Sequence, residues 1–275
     1  MRYIKLPNNL YPIKIYMTCV YSMDNAQNRD SYYKVVINYA LMAREYTSYA
    51  IKHNLYKFKE HQGMFSYKNL CTVSGMTTDN LKSLYTKMVN NKEPRKIYDK
   101  IMQLAPLGRC PYCGVGQVST LDHYLPKSKF PTFSVLPYNL VPSCKDCNTG
   151  KGNSYAKTKE TQALHPYYDD FTKEQWLFAR VKKSSPISIE YYVKAPKHWS
   201  EVDKKRIESH FKEYGLKKRF AVEAANELAK LESSFKRKTL NSHQIKELLS
   251  DELESYKSLH INSWQTALYQ ALADV

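Results

Sequence analysis

The chain reads as an α+β protein, mostly helical, with a small cysteine-rich unit set between two helical regions. Three observations predict this. Apolar residues recur near the 3.6-residue helical period on either side of residues 109–153 and lose that period within them. Four of the six cysteines fall in that interval as two C-x-x-C pairs, Cys110/Cys113 and Cys144/Cys147. Beyond it, two β-prone runs flank a Ser-Ser-Pro turn at 184–186. The expected division is a helical region over 1–105, the cysteine-rich unit over 106–170, and a hairpin followed by helices over 171–275.

Residues 1–30 are punctuated by Asn and Pro and give no clear element. Residues 31–56 show helical apolar spacing and predict one helix. In TTDNLKSLYTKMV, Thr77 or Thr78 is a fitting N-cap, with Leu81, Leu84, Tyr85 and Met88 on one face. Pro94 suits the first turn of the next helix, which Pro106 and Gly108 should end. Val118–Leu121 is β-prone and leads into Asp122. EQWLFARVKK and ISIEYYVKA predict the paired strands. Helices are expected over WSEVDKKRIESHFKEY, KKRFAVEAANELAKLESSF, HQIKELLSDELESYKSL and SWQTALYQALA. There is no internal repeat and no low-complexity tract.

Composition narrows the function classes. No run of 18 apolar residues exists, so a membrane-spanning helix is not expected. The first residues, MRYIKLPNNLYPIKIY, lack the apolar core of a secretory signal, and the expected compartment is the cytoplasm. The net charge of +16 favours a polyanionic partner, nucleic acid first. Lys204-Lys205-Arg206, Lys217-Lys218-Arg219 and Lys236-Arg237-Lys238 fall on expected helices, as solvated faces or as a phosphate-binding track. The 24 tyrosines offer stacking surfaces for unpaired bases, though most tyrosines simply pack. No base-reading motif is evident.

The cysteine pattern is C-x2-C-x30-C-x2-C, with Cys19 and Cys71 standing alone. Each C-x-x-C turn sets two thiolates at the separation of two corners of a tetrahedron. Two such turns make a closed four-cysteine zinc site, which is structural because it leaves no open position. Such a site stands in for the core that a short segment cannot build. A thioredoxin-like redox pair is the competing reading of either pair alone, and no βαβ pattern supports it.

Between and beside the two turns stand Asp122, His123, Asn139 and Asn148, with Lys151 one helical turn after Asn148. Each has an ordinary explanation: a cap for Asp122, a turn for Asn139, closure of the turn for Asn148, packing for the histidine. Their joint placement is less ordinary. The texts CPYCG, LDHYLPKS, NLVPSC and CNTGK, spanning Cys110 to Lys151, resemble the HNH endonucleases of the ββα-metal class, in the subset stapled by two C-x-x-C pairs. TLDHYLPKSKFPTFSVLPYNLVPSCKDCN followed by ALHPYYDD also resembles the HNH subunits of bacterial anti-phage systems of the Septu and retron type.

The resemblance implies a ββα-metal motif holding a structural zinc. It implies His123 as general base, Asp122 and Asn148 as ligands of Mg²⁺ or Mn²⁺, and Asn139 as the brace of the loop that orients His123. Lys151 would contact a phosphate or remain solvated. Many relatives carry histidine where this chain has Asn148, which shifts the expected metal toward harder, oxygen-liking ions. His165 would buttress the site or pack in the core. The implied activity is hydrolysis of phosphodiester bonds, DNA favoured, as an anti-phage effector with an ABC/SMC-type ATPase partner. A ribonuclease acting on tRNA and a non-catalytic zinc-stapled nucleic-acid-binding module are the alternatives.

Overall fold

The computed structural model describes residues 1–24, 29–60 and 76–274; Cys71 lies outside them. The chain is α+β and mostly helical, with two small antiparallel hairpins. It divides into two compact units, Arg2–Asp169 and Asp170–Val275 together with Met1.

The first unit begins with α1 (Pro12–Tyr21), an element that residues 1–30 did not reveal. Its proline sits in the first turn, and Ile15, Tyr16, Cys19 and Val20 form its buried face. The single helix expected over 31–56 is two helices, α2 (Arg29–Lys34) and α3 (Val36–Ile51), followed by a 3₁₀ turn at Leu55–Lys57. The break falls at Val35, which leaves helical geometry (φ −103°, ψ 1°). Tertiary packing explains it. Tyr16 stacks on Tyr39 with ring centroids 4.4 Å apart and donates a hydrogen bond to the Tyr32 carbonyl at 3.2 Å. Val35 is wholly buried beneath these contacts. The chain bends to bring Tyr32 and Tyr39 onto α1, against a periodicity that would have continued.

Helix α4 (Thr78–Asn90) opens on a capping box. Asn80 N–H donates to Thr77 Oγ1 at 3.2 Å, and Thr77 N–H donates to Asn80 Oδ1 at 2.8 Å. Leu81, Leu84 and Met88 are buried, as the sequence predicts, while Tyr85 is half-buried. Helix α5 (Lys92–Met102) carries Pro94 in its first turn and stops before Pro106.

The cysteine-rich interval contains a strand, a strand and a helix. β1 (Thr120–His123) pairs antiparallel with β2 (Leu140–Ser143), placing Asp122 opposite Val141 and His123 opposite Leu140. Helix α6 (Lys145–Lys151) follows β2 with only Cys144 between them. The connection from β1 to β2 is a string of prolyl 3₁₀ turns, Pro131–Phe133 and Pro137–Asn139, buried with the strands.

In the second unit β3 (Leu177–Lys182) pairs antiparallel with β4 (Ser188–Val193) across the predicted turn. Helices α7 (Glu201–Glu213), α8 (Leu216–Lys238), α9 (Ser242–Leu259) and α10 (Trp264–Ala273) follow where the periodicity puts them. Their starts are capped by Ser200, by an Asn241–Gln244 capping box and by Ser263. Trp176, Arg206, Tyr191, Tyr269 and Phe220 are among the largest fully buried side chains, and all lie in this unit. One expectation changes here. Arg206, read as part of a basic cluster, is fully buried on the inner face of α7 with Ile207 and His210. The remaining lysines of the three clusters are exposed or half-exposed, and Lys217 and Lys236 are ion-paired to Glu190 and Glu232 at 2.6 Å each.

Thr77→Ala removes the half of the α4 capping box in which Thr77 Oγ1 accepts from Asn80 N–H, and leaves the half donated by its own backbone N–H. It should lower unfolding stability by about 1 kcal/mol, read as a lower urea midpoint at unchanged m-value. An unchanged midpoint would show that the cap contributes nothing.

Candidate functional site

Cys110, Cys113, Cys144 and Cys147 are all buried, and their four sulfurs lie within 4.8 Å of one another. Cys113 Sγ and Cys144 Sγ are 3.9 Å apart. A tetrahedral Zn–S₄ centre with bonds near 2.3 Å has sulfurs about 3.8 Å apart, so the cradle fits a structural ion such as zinc. Backbone amides already point at the sulfurs: Gly116 N–H donates to Cys113 Sγ at 3.4 Å and Cys147 N–H to Cys144 Sγ at 3.5 Å. The crowding is itself informative. Hydrogen bonding from Cys110 pulls the Cys113 and Cys144 thiols down, and bonding to Cys113 and Cys110 pushes Cys110 and Cys147 up. Four sulfurs this close need protons shared unevenly among them, or one cation bound to all four.

Two glycines make the first turn possible. Gly114 takes φ +73°, which closes the turn with its N–H on the Cys110 carbonyl at 2.7 Å. Gly116 faces Cys144 so closely that a Cβ there would stand 2.6 Å from both Cβ and Sγ of that cysteine. Nothing in the sequence around Gly116 signals the approach of a residue 28 positions away.

The staple holds α6 against β1, and there Asp122, His123 and Lys151 meet. Lys151 Nζ lies 3.2 Å from each Asp122 carboxylate oxygen and donates to the His123 carbonyl at 2.6 Å. Tyr112, inside the first C-x-x-C turn, donates its hydroxyl to Asp122 Oδ2 at 2.9 Å. All three groups are buried, and no sequence signal points to Tyr112's part. Asn148 lies three residues before Lys151 on α6, hence on the same helical face, and its carboxamide has no hydrogen-bond partner among the described residues.

His123 has one anchor. Its Nε2 lies 2.9 Å from the Ser134 carbonyl. A carbonyl only accepts, so Nε2 carries the proton and Nδ1 holds the free lone pair. Nδ1 has no hydrogen-bond partner among the described residues. Burial lowers the imidazole to about 3, with Lys127 and Lys151 acting in the same direction and the Ser134 bond opposing them. Tyr85 packs edge-on against the ring at 4.5 Å, and Lys127 Nζ sits 4.5 Å above the Tyr85 ring. The ring is thus neutral and oriented, in a residue that is 7% exposed overall.

Asn139 does not touch the imidazole. Its Oδ1 accepts from Leu125 N–H at 2.7 Å, and its Nδ2 donates to the carbonyls of Leu125 at 3.0 Å and Phe133 at 3.2 Å. It therefore ties the chain just after His123 to the chain just before Ser134, the residue that anchors His123. Asn139 is held in turn by Tyr46 on α3, whose hydroxyl donates to Oδ1 at 3.1 Å. His165 completes the line. Tyr167 N–H donates to its Nδ1 at 3.2 Å, so Nε2–H faces Tyr46 Oη, 3.2 Å away. His165 is buried in the core, and it reaches Asn139 through the Tyr46 hydroxyl. Asp169 Oδ2 accepts from the His165 N–H at 2.6 Å, and its Oδ1 lies 2.8 Å from His53 Nδ1.

Among curated proteins, protein ea31 of Escherichia phage lambda is 36% identical to this chain over 219 residues, covering 74% of each. No protein-family model and no solved structure matches the chain.

Gly116→Ala should expel the metal, because the added methyl occupies space against Cys144. Elemental analysis of the purified variant should show well under one zinc per chain, against about one for the wild type and for Gly150→Ala, where a Cβ meets nothing. Full zinc occupancy in Gly116→Ala would refute the cradle described here.

Proposed function

The chain belongs to the family of phage lambda protein ea31, and we propose that it is a metal-dependent endonuclease of the HNH, or ββα-metal, class that hydrolyses phosphodiester bonds, DNA favoured. One observation carries this reading. In a β1–β2–α6 unit, His123 is anchored through Nε2 with Nδ1 free, directly beside a carboxylate that already faces a cation.

The chain's own groups supply most of the chemistry. His123 Nδ1 accepts a proton from the attacking water; burial keeps the ring neutral, the state a base requires. An approaching phosphate brings negative charge that makes the imidazolium easier to form. The Ser134 carbonyl holds the ring's direction, and Asn139 holds the two chain segments on which that geometry depends. Asp122 and Asn148 are the residues that would hold Mg²⁺ or Mn²⁺. The fit is good: both are hard oxygen donors, Asp122 is set to balance a positive charge, and the Asn148 carboxamide is unengaged. When bound, the ion supplies charge neutralisation at the scissile phosphate and leaving oxygen. Lys151, which stands 3.2 Å from Asp122, would be the cation that contacts a phosphate oxygen. The net charge of +16 supports the approach of a polyanion. The likeness to Septu- and retron-type subunits extends the proposal to an anti-phage effector working with an ABC/SMC-type ATPase.

The test offers supercoiled plasmid and a tRNA pool to the purified chain with Mg²⁺ or Mn²⁺. The wild type should cut plasmid, and His123→Ala should be slower by about 10²-fold or more at unchanged zinc content. Equal rates would remove His123 from the reaction. Cleavage of tRNA alone would make the protein a ribonuclease, and DNA binding with no cleavage would make it a zinc-stapled binding module. Mg²⁺ and Mn²⁺ should support more activity than Ni²⁺ or Zn²⁺; nickel outperforming magnesium would reject the Asp122/Asn148 oxygen site.

A further inference from the structure

We propose that the groove between α1 and α3 is a docking site for an amphipathic α-helix of another protein, one that presents a carboxylate to Arg44.

Helix α3 carries two stripes. Tyr39, Ala43, Tyr46 and Ala50 are buried. On the opposite side lie Ile37, Leu41, Arg44, Ser48 and Ile51, spaced alternately by four and three residues. Ile37 is 71% exposed, and Leu41 and Ile51 are each 60% exposed. Three of these five positions are apolar and exposed, with Arg44 and Ser48 between them. Scattered exposed leucines are ordinary in globular proteins, but apolar side chains on a four-three repeat over four turns have the spacing by which one helix receives another. Beside the seam is a groove of about 530 Å³ lined by Pro12, Ile13, Arg44, Thr47, Ile51 and Tyr138. Ile13, across from the seam on α1, is itself 48% exposed. The groove gives the seam a second wall.

Charge identifies the occupant. Arg44 stands in the middle of the seam and at the groove, with no carboxylate partner among the described residues. Lys14 on α1 and Lys52 at the end of α3 are exposed and likewise unpaired among the described residues. The nearest acid on α3, Glu45, is turned to Tyr49. The site is therefore apolar with a cationic centre and cationic rims. A second copy of this chain suits it poorly. An antiparallel two-fold pairing that matches Ile37 with Ile51 brings Arg44 against Arg44, on chains that each carry +16. A helix with apolar residues at heptad positions and an acidic residue at the centre fits every feature. It would rest on the same helix whose buried face carries Tyr46, the residue that holds Asn139.

The experiment uses the full chain and two labelled helical peptides of about three heptads with leucine core positions, one with a central Glu and one with a central Lys. Fluorescence anisotropy should show the Glu peptide binding wild type at least about tenfold more tightly than the Lys peptide, with Arg44→Glu reversing the order. Leu41→Asp should abolish both interactions while leaving zinc content and thermal midpoint unchanged. Binding of neither peptide, or of both alike, overturns the proposal. So does a concentration-dependent dimer in light scattering that Leu41→Asp dissolves, because the seam would then belong to a second copy.

Discussion

Four sulfurs drawn within 4.8 Å of one another are the constraint on which the rest of the site depends. β1 and β2 are four residues each and α6 is seven, too little chain to fix its own geometry by burial alone. The cluster links the turn before β1 to the junction between β2 and α6. It also caps α6, since Cys144 Sγ accepts from the Cys147 amide in the place where an oxygen usually sits. With that junction pinned, Lys151 is delivered to Asp122 and Asn148 shares its face. Tyr112, inside the cluster's own turn, reaches Asp122 directly, so the metal cradle and the Asp122 carboxylate are one hydrogen bond apart.

The second support is polar and runs the other way, from the helical part of the unit toward His123. Asp169, His165, Tyr46 and Asn139 form an unbroken buried line of hydrogen bonds. It ends on the backbone at Leu125 and Phe133, which bracket the contact between His123 and Ser134. Such a network is costly if half-made and rigid when complete. It gives a purpose to parts of the unit that a minimal ββα element would not need: α3 supplies Tyr46, and the segment after α6 supplies His165. It also makes the exposed seam of α3 more than decoration, because the helix that offers a docking surface on one face holds the brace of the site on the other.

The two spacings that predicted most, C-x2-C-x30-C-x2-C and the helical period of the flanks, are local or nearly so. Both follow from the chain's own geometry, and both are found in place: four sulfurs together, and helices α7 to α10 at their expected positions. The misreadings have a common cause. The 31–56 helix breaks because Tyr16 takes hold of Tyr32 and Tyr39, and Arg206 turns inward because α7 has an inner face at that position. Periodicity reports neither, since each depends on a partner distant in sequence. α1 was hidden for a different reason, as its ten residues lie among asparagines and prolines that read as loop.

The sequence by itself determined the cysteine pairs, the run of Asp122, His123, Asn139, Asn148 and Lys151, and the mixed helical architecture around them. These are matters of residue type and spacing along one chain. Only the tertiary structure decided that His123 faces Ser134 with Nε2, that Lys151 lies on Asp122, and that Asn139 works on the backbone rather than on the imidazole. It alone revealed Tyr112, Tyr46 and Gly116, whose side chains or lack of one matter because of residues 10, 93 and 28 positions away. A hydrogen bond or a steric approach is fixed by position in space, and sequence distance carries no record of it until the chain has folded.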